Sequence, residues 1–492
     1  MTENQSPTLE EIHNFKGKYP KQLWYLFLAE MWERFSFYGM RGMLTIFMVE
    51  RLLLHEKEAN LQYGAIQAFV YTMAFIGGMF ADKILGFRKS IFWGGILMIV
   101  GSFTLAFSPE SLFYIGISFT IVGTGFFKPN ISSMVGQLYA ENDPRRDAGF
   151  SLFYSGINLG ALLGGAACIY VATTISWNIA FSLAGIVMIF GLVVFAFTQK
   201  TLGPIGLPPV SETQSKWSAY LVYIGSLLSI PLILILVSNT QYTDLFMYIV
   251  GPAALLYIIY EMLKYNTIER KRLAAALIFI VFSIIFWAFF EQSGGSLSLF
   301  ARYNLNDKVA GFTIDPNIIN NSSNSLFIIT LSPLIGLLWL WLNKRKFEPN
   351  SIIKFGIAFL FLAGAFYTFY TTRFFAAPNG ITSLNVFTIA YLIITLGELC
   401  ISPIGLSLMT KLSPKPLHGA MMGMWFLASA YGQYAAGILG AGMTVADENA
   451  SLPEKLTAYT EGYYQLAIYA LVAGIIMIVA SPFIKKLMSG IK

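Results

Sequence analysis

Two carboxylates and a guanidinium crowd into the stretch EMWERFSFYG at residues 30–39, inside an otherwise apolar run. Glu30, Glu33, Arg34, Phe37, Tyr38 and Arg41 fall at i, i+3, i+4, i+7, i+8 and i+11. In a helix those positions form one stripe, with Glu30 and Arg34 a single turn apart. Two acids beside one base leave a surplus acid. Burial favours the protonated form of a carboxyl, and a nearby cation favours the ionised form. A group balanced in this way exchanges a proton when the cation moves. The plainer alternative is an internal ion pair that locks this helix to a neighbour.

Four further groups interrupt apolar runs where charge is expensive. An ionised side chain near a bilayer centre costs about 2.5–3.5 kcal/mol on insertion scales. Lys128 lies in GTGFFKPN, Glu291 in FWAFFEQSGGSLS and Glu398 in LGELCISPIG. With Arg41, each calls for a partner, a wet cavity or a function. The bases lie in the first half of the chain and unopposed acids in the second. That division suits a zwitterion whose two charges lie several ångströms apart. Its carboxylate would meet Arg34 and Lys128. Its ammonium would meet Glu398, helped by Asn158 and Asn324. Tyr38, Tyr71, Tyr154 and Trp425 would add tolerant apolar and cation–π surface.

The elements that must position these groups are membrane helices. The chain of 492 residues is 56% hydrophobic, 16% aromatic and 12% charged, where soluble domains carry about 25% charged residues. Apolar segments of about 20 residues recur along its length. The predicted spans are 23–49, 64–84, 91–108, 111–136, 149–172, 179–198, 217–238, 244–264, 273–300, 323–343, 351–372, 382–410, 419–443 and 461–486, fourteen in all. With the N-terminus inside, 22 of the 32 Lys and Arg residues fall in inner loops and tails and six in outer ones, so both termini are expected in the cytoplasm. The first 20 residues lack the apolar core of a signal peptide. Setting aside the pair at 217–264 leaves six helices, a linker and six more, the layout of a two-bundle carrier with its site at mid-membrane. The expected divisions are a cytoplasmic segment at 1–20, an N-terminal six-helix bundle at 21–198, a linker with two accessory helices at 199–272, and a C-terminal six-helix bundle at 273–492.

Four motifs in this order resemble one family. EMWERFSFYG is similar to the E-x-x-E-R-F-x-Y-Y-G motif of the proton-dependent oligopeptide transporter (POT/PTR) family. GGMFADKILGFRK resembles its segment between the second and third helices, FYSGINLGALLGG its fifth-helix signature, and GELCISPIGLSLMTKLSP its tenth-helix segment. The resemblance runs from about residue 20 to the C-terminus, with the accessory helix pair of bacterial members. It implies an all-α major-facilitator fold and inward symport of di- and tripeptides with protons by alternating access, in the inner (cell) membrane, with the peptide between the two bundles. It implies proton coupling by Glu30, Glu33, Arg34, Lys128 and Glu291. It implies peptide binding by Arg34, Tyr38, Arg41, Tyr71, Lys128, Asn158, Asn324, Glu398 and Trp425. Phe37 stands where many members carry a tyrosine, and Gly295 and Ser325 stand where Ser and Pro are expected. His13, His55 and His418 lie outside helix interiors, which argues against a histidine relay.

The alternative is the same carrier moving another small anion or zwitterion, such as nitrate or an amino-acid derivative. An intramembrane enzyme lacks support: there is no H-E-x-x-H, no G-x-S-x-G in a helix and no interior histidine. A sensor that does not transport has no signalling domain or long tail behind it. Cys168 and Cys400 offer no disulfide framework and no metal-ligand spacing. No basic tract with interleaved aromatics points to nucleic acid. The expected partners are peptides, protons and the lipid bilayer, with no cofactor beyond the proton.

Overall fold

Long apolar runs with few charges have one stable form in hydrocarbon, the helix, because it satisfies every backbone polar group within its own segment. The computed structural model describes residues 6–209, 216–401, 405–447 and 449–491, without the side chains of 216, 406 and 407. Twelve helices among the described residues are long and apolar enough to cross a membrane by length and composition. The chain divides into two compact units: 1–43 with 69–238, and 44–68 with 239–492.

The first unit opens with the short helix α1 (Leu9–His13), started by a capping box between Thr8 and Glu11. It then holds the first part of α2 (Lys21–Glu50) and the last part of α3 (Glu56–Phe80), followed by α4 (Phe87–Phe107), α5 (Pro109–Gln137), α6 (Arg146–Thr174), α7 (Trp177–Thr198) and α8 (Lys216–Ser238). A single π-helical stretch, Ala81–Leu85, ends α3. Gly86 follows at φ +75°, a conformation that favours glycine, and turns the chain into α4. Within this unit α4 packs on α5 and α7, and α8 lies along α5.

The second unit holds the remaining parts of α2 and α3, then α9 (Thr240–Met262), α10 (Thr267–Phe290), α11 (Ser296–Asn304), α12 (Pro316–Lys344), α13 (Ser351–Thr371), α14 (Leu384–Ile401), α15 (Gly405–Leu412), α16 (His418–Ala441), α17 (Leu452–Val479) and α18 (Ser481–Leu487). Its only sheet among the described residues is a two-residue hairpin, Lys308–Val309 against Phe312–Thr313. Here α13 packs on α14 and α17, α10 on α16, and α12 on α14.

Most predicted spans match these helices to within a few residues. Four differ: the spans expected at 323–343 and 461–486 begin at Pro316 and Leu452, the second ending at Val479, and the other two differ for physical reasons. The span expected at 64–84 begins at Glu56, where Glu56 and Glu58 sit in the first turn and suit the positive end of the helix. The span expected at 273–300 is broken: a 3-10 turn at Glu291–Gly294 separates α10 from α11. The carbonyls released there are claimed by side chains. Asn320 donates to Ser293 O at 2.7 Å, and Thr45 donates to Gly294 O. That is how a broken helix survives where water is scarce. Of the span expected at 382–410, α14 and α15 are described, and residues 402–404 lie outside the described residues, as do 210–215 of the predicted linker.

Candidate functional site

The stripe predicted from EMWERFSFYG is present in α2, buried in the first unit. Arg34 Nε lies 3.1 Å from Glu30 Oε1 and also pairs with Glu33. All three residues are at most 1% exposed. Glu30 Oε2, Glu33 Oε1 and Arg34 Nη2 are buried without a hydrogen-bond partner, so the cluster holds two acids, one base and unused bonding capacity. The guanidinium also faces the Phe37 ring, 5.3 Å from its centroid. Phe37, where the motif resemblance expects tyrosine, gives this cation a π face and no hydroxyl.

Close approach of α6 seals the stripe. A Cβ on Gly160 would lie 2.1 Å from the Met31 carbonyl and 2.9 Å from Arg34 Cβ. Only glycine allows this contact, which accounts for its place in FYSGINLGALLGG. Lys128, on α5, stands over the Tyr71 ring at 4.4 Å, within electrostatic reach of Glu30, Glu33, Arg34 and Tyr38. Arg41 lies over the Tyr38 ring at 5.6 Å. Asn158, 5% exposed, uses one amide proton on the Tyr154 carbonyl at 3.0 Å. The first unit therefore brings together Glu30, Glu33, Arg34, Tyr38, Arg41, Tyr71 and Lys128.

The second unit holds two further acids of the predicted site, Glu291 and Glu398. Asn324 Nδ2 donates to Glu398 Oε2 at 2.8 Å and to Thr395 Oγ1 at 3.2 Å. Glu398 is 8% exposed, and among the described residues no Lys or Arg forms an ion pair with it. Glu291 is 5% exposed at the break after α10, within electrostatic reach of Glu398. Trp425 is half-buried on α16, with Gly405 pressed so close to its ring that a Cβ there would overlap it. Gly295 has a similar constraint: a Cβ would lie 2.7 Å from Asn60 Oδ1, so the serine expected at this position would displace that amide.

Sequence reasoning missed three members of the acidic region. Thr395 shares the amide of Asn324, Tyr391 donates to Asn320 Oδ1 at 2.5 Å, and Asn320 braces the helix break. The signal was the polar run NIINNSSNS at 317–325, too polar for a lipid-facing helix. A second missed feature is the buried acid Glu56. Lys455 Nζ lies 2.6 Å from its Oε1, and Tyr459 donates to its Oε2 at 2.5 Å.

The arrangement is a set of membrane-buried ionisable groups with incomplete pairing. Comparison with known proteins decides which family uses it. The profile of the POT family matches residues 88–459. The chain belongs to the POT family.

Among POT relatives, a peptide transporter of Yersinia enterocolitica is 37% identical over 467 residues, covering 88% of this chain and 90% of its own. A solved structure of the peptide transporter POT in complex with alafosfalin superposes with TM-score 0.83 at 33% identity, covering 99% of this chain and 100% of that one. A POT family transporter in complex with 5-aminolevulinic acid superposes with TM-score 0.82 at 30% identity, covering 97% and 100%. This chain is thus a multi-pass membrane transporter of the POT family, with a major-facilitator type of fold.

Proposed function

We propose that this protein is a proton-coupled symporter that imports di- and tripeptides across the inner membrane by alternating access. Fourteen helices cross the bilayer in this reading, in two six-helix bundles with α8 and α9 as accessories. The charged α2 and the Gly- and Ala-rich α16 cross with the twelve apolar helices. Both termini face the cytoplasm, as the Lys and Arg bias favours.

The observation that carries the substrate class is Glu398, a buried carboxyl held by Asn324 with no basic side chain bonded to it among the described residues. A buried acid without a counter-ion is costly until a cation arrives, and a peptide brings an ammonium. The bases Arg34 and Lys128 of the first unit offer charge for the peptide carboxylate. Glu30, Glu33 and Glu291 supply carboxyls that take up and release the coupled proton. Tyr38, Arg41, Tyr71, Asn158 and Trp425 supply aromatic and polar surface around the peptide. The relatives named for peptides support this reading.

A second reading, a small zwitterion other than a peptide, draws support from the relative solved with 5-aminolevulinic acid. One experiment separates them: uptake of labelled dialanine into proteoliposomes under an imposed inward proton gradient. Accumulation above the collapsed-gradient control, competed by dipeptides and tripeptides, is the expected result. No accumulation overturns coupling. Accumulation competed only by single amino-acid derivatives overturns the peptide assignment.

A further inference from the structure

A cavity of about 340 Å³ opens in the first unit where α4 begins, α7 ends and α8 runs past. Its walls are Arg88, Lys89, Phe92, Trp93, Gln199 and Tyr223. None of these groups has a part in the transport chemistry above.

The cavity is built and charged. The Arg88 guanidinium donates to the carbonyls of Ile205 at 2.6 Å, Gln199 at 3.2 Å and Gly203 at 2.5 Å. These bonds fix the side chain in place, and among the described residues no carboxylate forms an ion pair with it. Lys89 is exposed beside it and forms no ion pair among the described residues. The opposite wall is aromatic and rigid. Trp93 and Tyr223 have ring centroids 5.0 Å apart, and the Trp93 indole donates to Ser226 Oγ at 2.9 Å. Beyond this wall the surface is apolar: Phe92, Tyr220, Leu221 and Ile224 are all exposed.

We propose that this cavity binds the anionic phosphodiester headgroup of a membrane phospholipid, with its acyl chains lying along α8. Arg88 is the second residue of α4 and Gln199 follows the last residue of α7, so the cavity sits at the helix ends, the depth of a lipid headgroup. Basic groups with no carboxylate partner among the described residues, beside Trp and Tyr and bordered by an apolar slope, match an amphiphile with negative charge at one end. An inorganic phosphate would use the bases and leave the aromatic wall and slope without a role. The lipid would fill the seam between α8 and α4, giving the accessory helix a molecular task.

Arg88 braces residues 199–205, so Lys89 is the better residue to change. The full-length protein is titrated with phosphatidylglycerol and, separately, phosphatidylcholine, and bound lipid is counted by native mass spectrometry. Phosphatidylglycerol should bind in preference. Lys89→Gln should weaken it about fivefold, the effect of one base near an anionic headgroup, and leave phosphatidylcholine unchanged. Lys486→Gln, an exposed base on α18 of the second unit, should leave both unchanged. Equal binding of the two lipids, no effect of Lys89→Gln, or the same loss with Lys486→Gln overturns the proposal. Displacement of phosphatidylglycerol by low-millimolar inorganic phosphate overturns the lipid assignment in favour of a small-anion site. Independently, phosphatidylglycerol with brominated chains should quench tryptophan fluorescence in the wild type, with that quenching reduced in Trp93→Phe. Equal quenching in both places the lipid elsewhere.

Discussion

Asn324 donates its amide to Glu398 at 2.8 Å, joining α12 to α14 through one buried carboxyl. A hydrogen bond to a charged group contributes about 1.5–3 kcal/mol, enough to hold the acid in place and too little to replace a cation. In the proposed function a peptide ammonium supplies that cation. Glu398→Gln should therefore weaken peptides with a free amino terminus by about 2 kcal/mol, roughly thirtyfold in apparent affinity. N-acetylated peptides should lose far less. Competition assays with matched free and acetylated dipeptides make the comparison, and equal losses would remove Glu398 from the ammonium site.

Proton coupling should separate from binding at the α2 cluster. Glu33 and Glu30 share Arg34, with Lys128 in electrostatic reach. Glu33→Gln or Lys128→Ala should abolish gradient-driven accumulation while counterflow exchange continues. Normal accumulation in both variants would take the cluster out of the coupling machinery.

The glycine seal over that cluster makes a stability prediction. Gly160→Val should destabilise the protein by about 3 kcal/mol, because Met31 and Arg34 occupy the space of the new side chain. Gly336→Ala is the control. A Cβ there meets nothing within 4 Å, and the change should be neutral or stabilising by up to about 1 kcal/mol. Thermal unfolding in detergent reads both. A Gly160→Val protein as stable as the wild type would show that α6 stands further from α2.

Much of this was legible before the structure. The cluster at 30–41, Lys128, Glu291 and Glu398 stood out because charge in an apolar run is expensive, and that expense acts on single residues. The 3-10 turn at Glu291–Gly294 could not be placed from the sequence: the small residues there permit a break, but apolar character continues across it and hydropathy carries no backbone angles. The start of α3 at Glu56 read as loop, since its acid finds Lys455 and Tyr459 only through a contact about 400 positions along the chain. The Tyr391–Asn320 bond was hidden for the same reason. Local spacing reports which residues share a helix face, and it is silent on which distant helix will meet that face.

The Glu56 contact can be measured as a coupling. Lys455→Met leaves a largely buried carboxylate with Tyr459 as its remaining partner, and removing one member of a buried pair costs about 3–5 kcal/mol. Glu56→Gln with Lys455→Met should recover part of that loss. A double-mutant cycle on thermal stability should give a coupling of about 1–3 kcal/mol. Additive losses would mean that the pair contributes nothing beyond its separate contacts.

The loop between α12 and α13 should respond to acid. Glu348 accepts from Lys354 Nζ at 2.6 Å and from Asn343 Nδ2 at 2.5 Å. Lys354 and then Asn343 hold its carboxyl below the ordinary range. A depressed folded-state value contributes stability that is complete above the unfolded-state value, near 4.3 for Glu, and is lost as pH falls through the folded-state value. Unfolding curves should therefore steepen in their acid dependence below about pH 4.5, and Glu348→Gln should flatten that limb. An unchanged limb would assign the acid sensitivity to other groups.

Helices α8 and α9 are fastened to different units of the chain. Trp93 bonds to Ser226 on α8, inside the first unit. On α9, Asp244 accepts from Tyr434 at 2.5 Å and the Met247 carbonyl accepts from Tyr431, both inside the second. One of the three borders between the units falls between Ser238 and Asn239, and Asn239 alone separates α8 from α9, in an extended conformation with φ −131°. A single residue of backbone, Asn239, thus stands between a helix packed on the first unit and a helix bonded to the second.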